Sequence, residues 1–176
     1  MSKRSMLVEE CIFSLAEGNM DALDKLYSLI SKDVYAYALS KVTNKFDADD
    51  IMQDTFVRIY ENAKLYTSKG NPMAWIITIE KNIINRFFQL RSRNISIYDE
   101  NISIDEISST ERICDNDFLN NLLKNLNEFE REVISLHVVT GLKFREIAKL
   151  LNKPISTVLS KYNRAIKKLQ KLIKEE

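Results

Sequence analysis

The stretch GLKFREIAKLLNKPISTVLSKYNRAIKKL, Gly141 to Leu169, sets the reading of the whole chain. Set at 100° per residue, Val158, Tyr162, Ala165, Ile166, Leu169 and Leu172 share one side of a helix. Thr157, Ser160, Lys161, Arg164, Lys168 and Lys171 share the other. A shorter helix, Lys143 to Leu151, offers Ile147, Ala148, Leu150 and Leu151 for packing, and small Ala148 permits close approach. Asn152 suits a left-handed turn residue, and Pro154 bars continuation of the first helix. Ser156 or Thr157 can cap the second. The pattern is a helix-turn-helix, whose second helix lies in a DNA major groove. The bland alternative is a helical hairpin with a solvated lysine face.

Working outward, Asn127 and Glu130 form a capping-box pattern for a helix running to about Thr140, which Gly141 ends. Before it, Phe118, Leu119, Leu122, Leu123 and Leu126 stripe a further helix. Ser92 to Arg112 has isolated apolar residues and no sustained period, and reads as a linker. Met73 to about Arg93 reads as a long helix with Pro72 near its first turn. Its core face carries Ile76, Ile79, Ile83, Phe87 and Leu90. Its opposite face carries Ile77, Thr78, Lys81, Ile84, Asn85 and Phe88. An exposed face mixing apolar, aromatic, amide and basic groups suits single-stranded nucleic acid, because bases stack and cations meet phosphates. A helix packed on both sides is the competing reading. Trp75 at the helix start fits a core anchor, with base stacking as the alternative.

Tyr66 to Pro72, YTSKGNP, is turn chemistry. Asp47 to Ala63 is a helix with Ala48, Ile51, Met52, Phe56 and Ile59 inward and Asp50, Gln53, Asp54, Arg58 and Glu61 outward. Val8, Ile12, Leu15 and Ala16 stripe a first helix. Leu23, Leu26, Tyr27, Ile30, Val34, Tyr37 and Ala38 stripe a second, Met20 to Val42. No strand pattern or internal repeat is visible. The expected fold is all-α, with two small helical domains at 7–93 and 114–174 joined by a flexible acidic linker at 94–113.

The 176 residues hold only three Gly and two Pro, so long helices can run. Net charge is +1, yet it is distributed in blocks. Lys69, Lys81, Arg86, Arg91 and Arg93 face only Glu80 in the long helix and its loop. Asp99, Glu100, Asp105, Glu106, Glu111, Asp115 and Asp117 then face only Arg112. From Phe129 onward eleven Lys or Arg face five Glu. Two basic modules flank an acidic connector, and the local field can steer a polyanion despite the small total. Cys11 and Cys114 lack metal-ligand spacing and are expected to be reduced thiols, and His137 stands alone. No cofactor is expected. With no Gly-rich phosphate loop, metal cluster or nucleophile-base pair, the chain is not expected to be an enzyme. No apolar run reaches membrane length and no signal peptide is visible, so a soluble cytoplasmic protein without membrane insertion is expected.

An acidic helix DADDIMQDTFVRIYENA, a polar loop, a basic helix WIITIEKNIINRFFQLRSR, an acidic linker and a helix-turn-helix follow in order. That order resembles a bacterial RNA polymerase sigma factor of the extracytoplasmic-function group over about Asp21 to Leu172. The resemblance implies that Asp50, Gln53, Asp54, Arg58 and Glu61 meet core polymerase at the clamp helices of its β′ subunit. Phe56 also matches this motif. Trp75, Ile79 and Asn82 match the regions that melt and read the minus-ten element. It implies that Ser68, Lys69, Gly70 and Asn71 hold a flipped base, with Lys81, Asn85, Phe88, Arg91 and Arg93 on the flanking strand. LNEFEREVISLHVVTGLKFREIAKLLNKPISTVLSKYNRAIKKL matches the region that reads the minus-thirty-five element. It would use Lys143, Arg145, Ser156, Thr157, Ser160, Lys161, Arg164 and Lys168. Lys167 and Lys171 would touch phosphate. The linker would thread near the RNA exit path and the C-terminal module would sit on the β flap. An anti-sigma factor is a further partner by family habit. Arg86, Ser156 and Leu159 depart from common residues of the family, which bears on promoter sequence. The alternatives are a stand-alone helix-turn-helix regulator and a helical adaptor that binds protein only.

Overall fold

The computed structural model describes residues 2–42, 44–98 and 125–174. The helix expected from Cys114, and most of the linker, lie outside these residues. No strand occurs among those described.

Helix α1, Lys3–Ala16, opens with the Ser2 hydroxyl accepting from Ser5 N–H and buries Val8, Cys11, Ile12 and Leu15. Helix α2, Asp21–Val42, buries Leu26, Ile30, Val34, Tyr37 and Ala38 on the expected stripe. Tyr27 departs from that stripe. It is nearly half exposed and lays its ring against Phe56 at 4.9 Å between centroids. Helix α3, Lys45–Asn62, starts two residues before the sequence suggests, because the Asn44 side chain accepts from Phe46 N–H. One 3₁₀ turn, Ala63–Leu65, follows it.

Helix α4, Pro72–Tyr98, continues five residues past Arg93 into the segment read as linker; Asn94 to Tyr98 contain neither Gly nor Pro to stop it. Its two faces are not those of a single-stripe wheel. Ile77 and Ile84, expected outside, are buried with Met73, Ile76 and Glu80, whereas Leu90, expected inside, is half exposed. The cause is that α4 packs against α1, α2 and α3 together. Its buried arc is therefore wider than one neighbour would produce.

The C-terminal cluster begins with α5, Glu128–Ile134. The Asn127 side chain accepts from Glu130 N–H at 2.9 Å and the Glu130 carboxylate accepts from Asn127 N–H at 3.1 Å, which is the expected capping box. The chain then passes through one π turn, Ser135–Val139, before Gly141 at φ 72° reverses it. Helix α6, Phe144–Leu150, ends at Asn152, which takes the left-handed conformation at φ 50°. Helix α7, Ile155–Lys174, begins with the carbonyl of Pro154 accepting from Val158 N–H. Ser156 and Thr157 thus lie inside its first turn and do not cap it.

His137, which looked isolated in the sequence, ties this cluster together. Its ring stacks on Phe144 at 4.1 Å and meets the edge of Tyr162 at 5.1 Å; Nδ1–H donates to the Leu142 carbonyl at 2.8 Å. Three rings from the π turn, α6 and α7 thereby fix the angle of the helix-turn-helix.

The two clusters share one core. Val133, Leu136, Ile147 and Val158 belong to the same buried group as the residues of α1 to α4. Helix α5 and the π turn pack on α2, and α6 touches α4.

Candidate protein and nucleic-acid interfaces

The outward face of α3 carries every residue expected there. Asp50, Gln53, Asp54, Arg58 and Glu61 are all exposed, while Ala48, Ile51, Met52, Thr55, Phe56 and Ile59 are buried on the other side. Arg58 pairs with Glu61 at 2.7 Å on this surface. Val57 and Tyr60 are exposed among these polar groups. Sequence reading passed over them as neither acidic nor core. Val57 lies one turn from Gln53 and Asp54, and Tyr60 one turn beyond Val57, on the same side of the helix, which was the available signal. The face therefore offers carboxylates around a small apolar centre.

The loop before α4 is anchored at both ends. Tyr66 is buried, donates its hydroxyl to Glu9 of α1 at 2.6 Å, and meets the edge of Trp75 at 5.0 Å. Trp75 is thus held against the core by one ring edge. Ser68 and then Tyr66 hydrogen-bond the Glu9 carboxyl and hold it below its usual range. Ser68, Lys69 and Gly70 are exposed, and Gly70 has φ 80°, a conformation that side chains rarely adopt. Asn71 is half-buried, and its carbonyl accepts from Ala74 N–H at 3.2 Å. It is therefore part of the start of α4 as well as of the loop.

Along α4 the expected residues separate. Asn85, Phe88, Arg91 and Arg93 are exposed, and Arg91 lies 3.5 Å from Asp47. Lys81 does not face open solvent; its ammonium donates to the Leu150 carbonyl of α6 at 2.6 Å. Between them Glu80 is fully buried, and neither carboxylate oxygen has a hydrogen-bond partner. Burial pushes its carboxyl well above the ordinary range, and a weak approach of the Ala38 backbone offsets this only in part. Tyr37 is likewise pushed up, by burial first and then by the charges of Glu132 and Glu80.

On α7, Ser156, Ser160, Arg164 and Lys168 are exposed and Thr157 and Lys161 are half-buried. Ser156, Leu159, Ser160, Asn163, Arg164 and Lys167 line one open depression along the helix. Asn163 was not among the expected residues, although an amide there can read a base edge. Lys143 and Arg145 stand at the start of α6, where Lys143 N–H is capped by Glu146 at 2.7 Å. Lys168 has a different local role from the one expected. Its ammonium pairs at 2.7 Å with Glu130, whose side chain is only 2% exposed. Burial alone would raise the Glu130 carboxyl; Lys168, the Asn127 N–H and Lys161 outweigh it and bring it below the ordinary range. Lys168 thus braces α7 against α5.

Among the described residues no group of three or more His, Cys, Asp or Glu could hold a metal ion, and no helix is long and apolar enough to cross a membrane. Cys11 is a buried free thiol.

The sigma-70 region 2 family matches residues 26–94, and the sigma-70 region 4 family matches residues 119–169. The chain is 26% identical over 166 residues to the ECF RNA polymerase sigma factor BldN of Streptomyces coelicolor, covering 90% of this chain and 63% of that protein. It thus spans less than two thirds of BldN. It is 24% identical over 155 residues to the ECF RNA polymerase sigma factor SigM of Bacillus subtilis, covering 85% of this chain and 94% of SigM. Among solved structures, CnrH in complex with the cytosolic domain of CnrY superposes with a TM-score of 0.67 at 22% identity, covering 97% of this chain and 99% of CnrH. The sigma factor RpoE of Bartonella quintana, solved with the anti-sigma factor NepR, gives 0.66 at 24%, covering 86% and 96%. With both sigma-70 regions present in order and the same group recurring among the relatives, the chain belongs to the sigma-70 family of RNA polymerase sigma factors, in its extracytoplasmic-function group.

Proposed function

We propose that this protein binds core RNA polymerase, reads the minus-ten and minus-thirty-five elements of a promoter, and helps to melt the DNA between them and the start site. The observation that carries the reading is one chain holding two different surfaces. One is the carboxylate and amide face of α3, and the other is the basic outer stripe of α7. A stand-alone regulator has use for the second but not the first. Asp50, Gln53, Asp54, Arg58 and Glu61 would dock on the β′ clamp helices, with Val57 and Tyr60 excluding water at the centre.

Ser68, Lys69, Gly70 and Asn71 would receive a base flipped from the non-template strand. Unstacking costs a few kcal/mol, roughly, so loop contacts must offset it. Asn85, Phe88, Arg91 and Arg93 would follow the strand. Thr157, Ser160, Lys161 and Arg164 would face the major groove, and an arginine paired with guanine there discriminates by ~1–3 kcal/mol. The catalytic chemistry would reside in the polymerase, so this protein would act without a cofactor, in the cytoplasm, with the β flap and an anti-sigma factor as further partners. Run-off transcription with core polymerase on genomic fragments, followed by start-site mapping, tests the reading. Transcripts that need this protein are expected, sharing two sequence elements upstream. Sequence-specific DNA binding without any polymerase-dependent transcript would favour the stand-alone regulator.

A further inference from the structure

The loop before α4 is governed from α1. Tyr66 is buried, with its ring between Phe13 of α1 at 5.5 Å and Trp75 of α4 at 5.0 Å between centroids. Its hydroxyl donates to the Glu9 carboxylate at 2.6 Å, and the Ser68 hydroxyl hydrogen-bonds the same carboxylate. Ser68 first and Tyr66 second hold the Glu9 carboxyl below its ordinary range, so at neutral pH it is ionised and can only accept. Ser68 is therefore the donor in its bond to Glu9. The same hydroxyl also meets Tyr66, whose own proton is committed to Glu9, so Ser68 is the donor there as well. A serine has one proton to give. With that proton turned toward α1, the exposed Ser68 offers the outside an oxygen that accepts. Glu9 lies on α1, outside the residues 26–94 that match sigma-70 region 2.

We propose that Glu9 is a positioning residue for base recognition: by holding the Ser68 proton it leaves the serine oxygen as an acceptor, and the loop then selects a flipped base that carries an exocyclic amino group. The proposal rests on the promoter-binding reading above. Adenine and cytosine carry an amino group where guanine and thymine carry a carbonyl oxygen. A flipped base is read along its Watson–Crick edge, which includes these groups. Against the Ser68 oxygen an amino group closes a hydrogen bond. A carbonyl sets lone pair against lone pair and leaves both oxygens unpaired. An unrestrained serine would rotate its hydroxyl to suit either base. The Glu9 carboxylate removes that freedom, while the Phe13, Tyr66 and Trp75 rings hold the start of the loop in place. Order present before binding is not lost on binding, so the loop's contacts go into holding the base. The competing reading gives Glu9 no part beyond anchoring Tyr66.

The test is transcription by the full chain with core polymerase from a promoter library randomised across the minus-ten element, each template carrying a transcribed barcode. Wild type should enrich adenine and cytosine several-fold over guanine and thymine at one position. Glu9→Gln keeps the side-chain volume but can donate an amide N–H to Ser68. It should abolish that enrichment and leave the other positions as they were. Ser68→Ala should alter the same position. If circular dichroism shows that Glu9→Gln has lost helicity, Glu9→Asp replaces it, with a smaller change at that position. Enrichment unchanged in a folded Glu9 variant overturns the proposal. A wild-type preference for guanine or thymine at the position that Ser68→Ala alters overturns it too. Equal weakening at every position in the Glu9 variant would assign it to anchoring alone and overturns it likewise. Those outcomes all occur with wild-type transcription intact. Absence of any transcript with the wild-type protein is a different result, which ends the promoter reading and this proposal with it.

Discussion

Glu80 illustrates how a single buried group shapes stability. Its carboxyl is fully enclosed without a partner, so the native chain holds it protonated above its ordinary range. Below about pH 4.3 the unfolded chain also holds that proton and no penalty arises. As pH rises, the unfolded state ionises first, and native stability falls until the native group ionises too. Glu80→Gln removes this dependence. The variant should unfold within about a degree of wild type near pH 3.5, below the unfolded value, and several degrees higher at pH 7, read by thermal melts across that range. Glu130 works in the opposite sense, because its partners lower its carboxyl. Its contribution is present above the unfolded value and is lost as pH falls. Lys168→Ala leaves this buried carboxylate with less compensation. It should cost about 1–2 kcal/mol in denaturant unfolding at neutral pH, discounted for the half-exposed lysine, and much less near pH 3. The core stripe of α1, the capping box at Asn127 and the left-handed Asn152 were legible in the sequence because each follows from a local rule. Glu80 was not, since a carboxylate at a core position looks like an exposed residue until its neighbours are known.

At the scale of elements, α3 was read correctly on both faces because one side packs and the other does not. Helix α4 misled at Ile77, Ile84 and Leu90, because a wheel assumes one buried side whereas α4 has neighbours around a wider arc. His137 escaped notice for a related reason: its partners Phe144 and Tyr162 come from two other elements. The exposed α3 face makes a direct expectation. Asp54→Lys with Gln53→Ala changes two exposed side chains, so helicity and melting should stay close to wild type. Capture of core polymerase should drop at least tenfold, measured by competition against unlabelled wild-type protein. Capture at the wild-type level would remove this face from the polymerase interface.

Across the whole molecule, the two clusters share a continuous core although the sequence reads as two modules with a charged connector. Periodicity locates helices and their apolar faces, but it does not say that the polar ends Lys41, Glu128 and Glu132 will meet. Val133 and Leu136 are fully buried and belong to that shared core. Separating the clusters wets apolar surface, and wetted apolar surface raises heat capacity. Lys41→Glu sets like charges against Glu128 and Glu132 at that seam, so the variant should melt a few degrees below wild type, read by thermal unfolding. An unchanged melting temperature would mean that these ion pairs do not hold the seam. The seam between α2 and α5 thus gives the chain a thermal response. Because it buries apolar side chains of both clusters, that seam holds best at one temperature and weakens on heating or on cooling away from it.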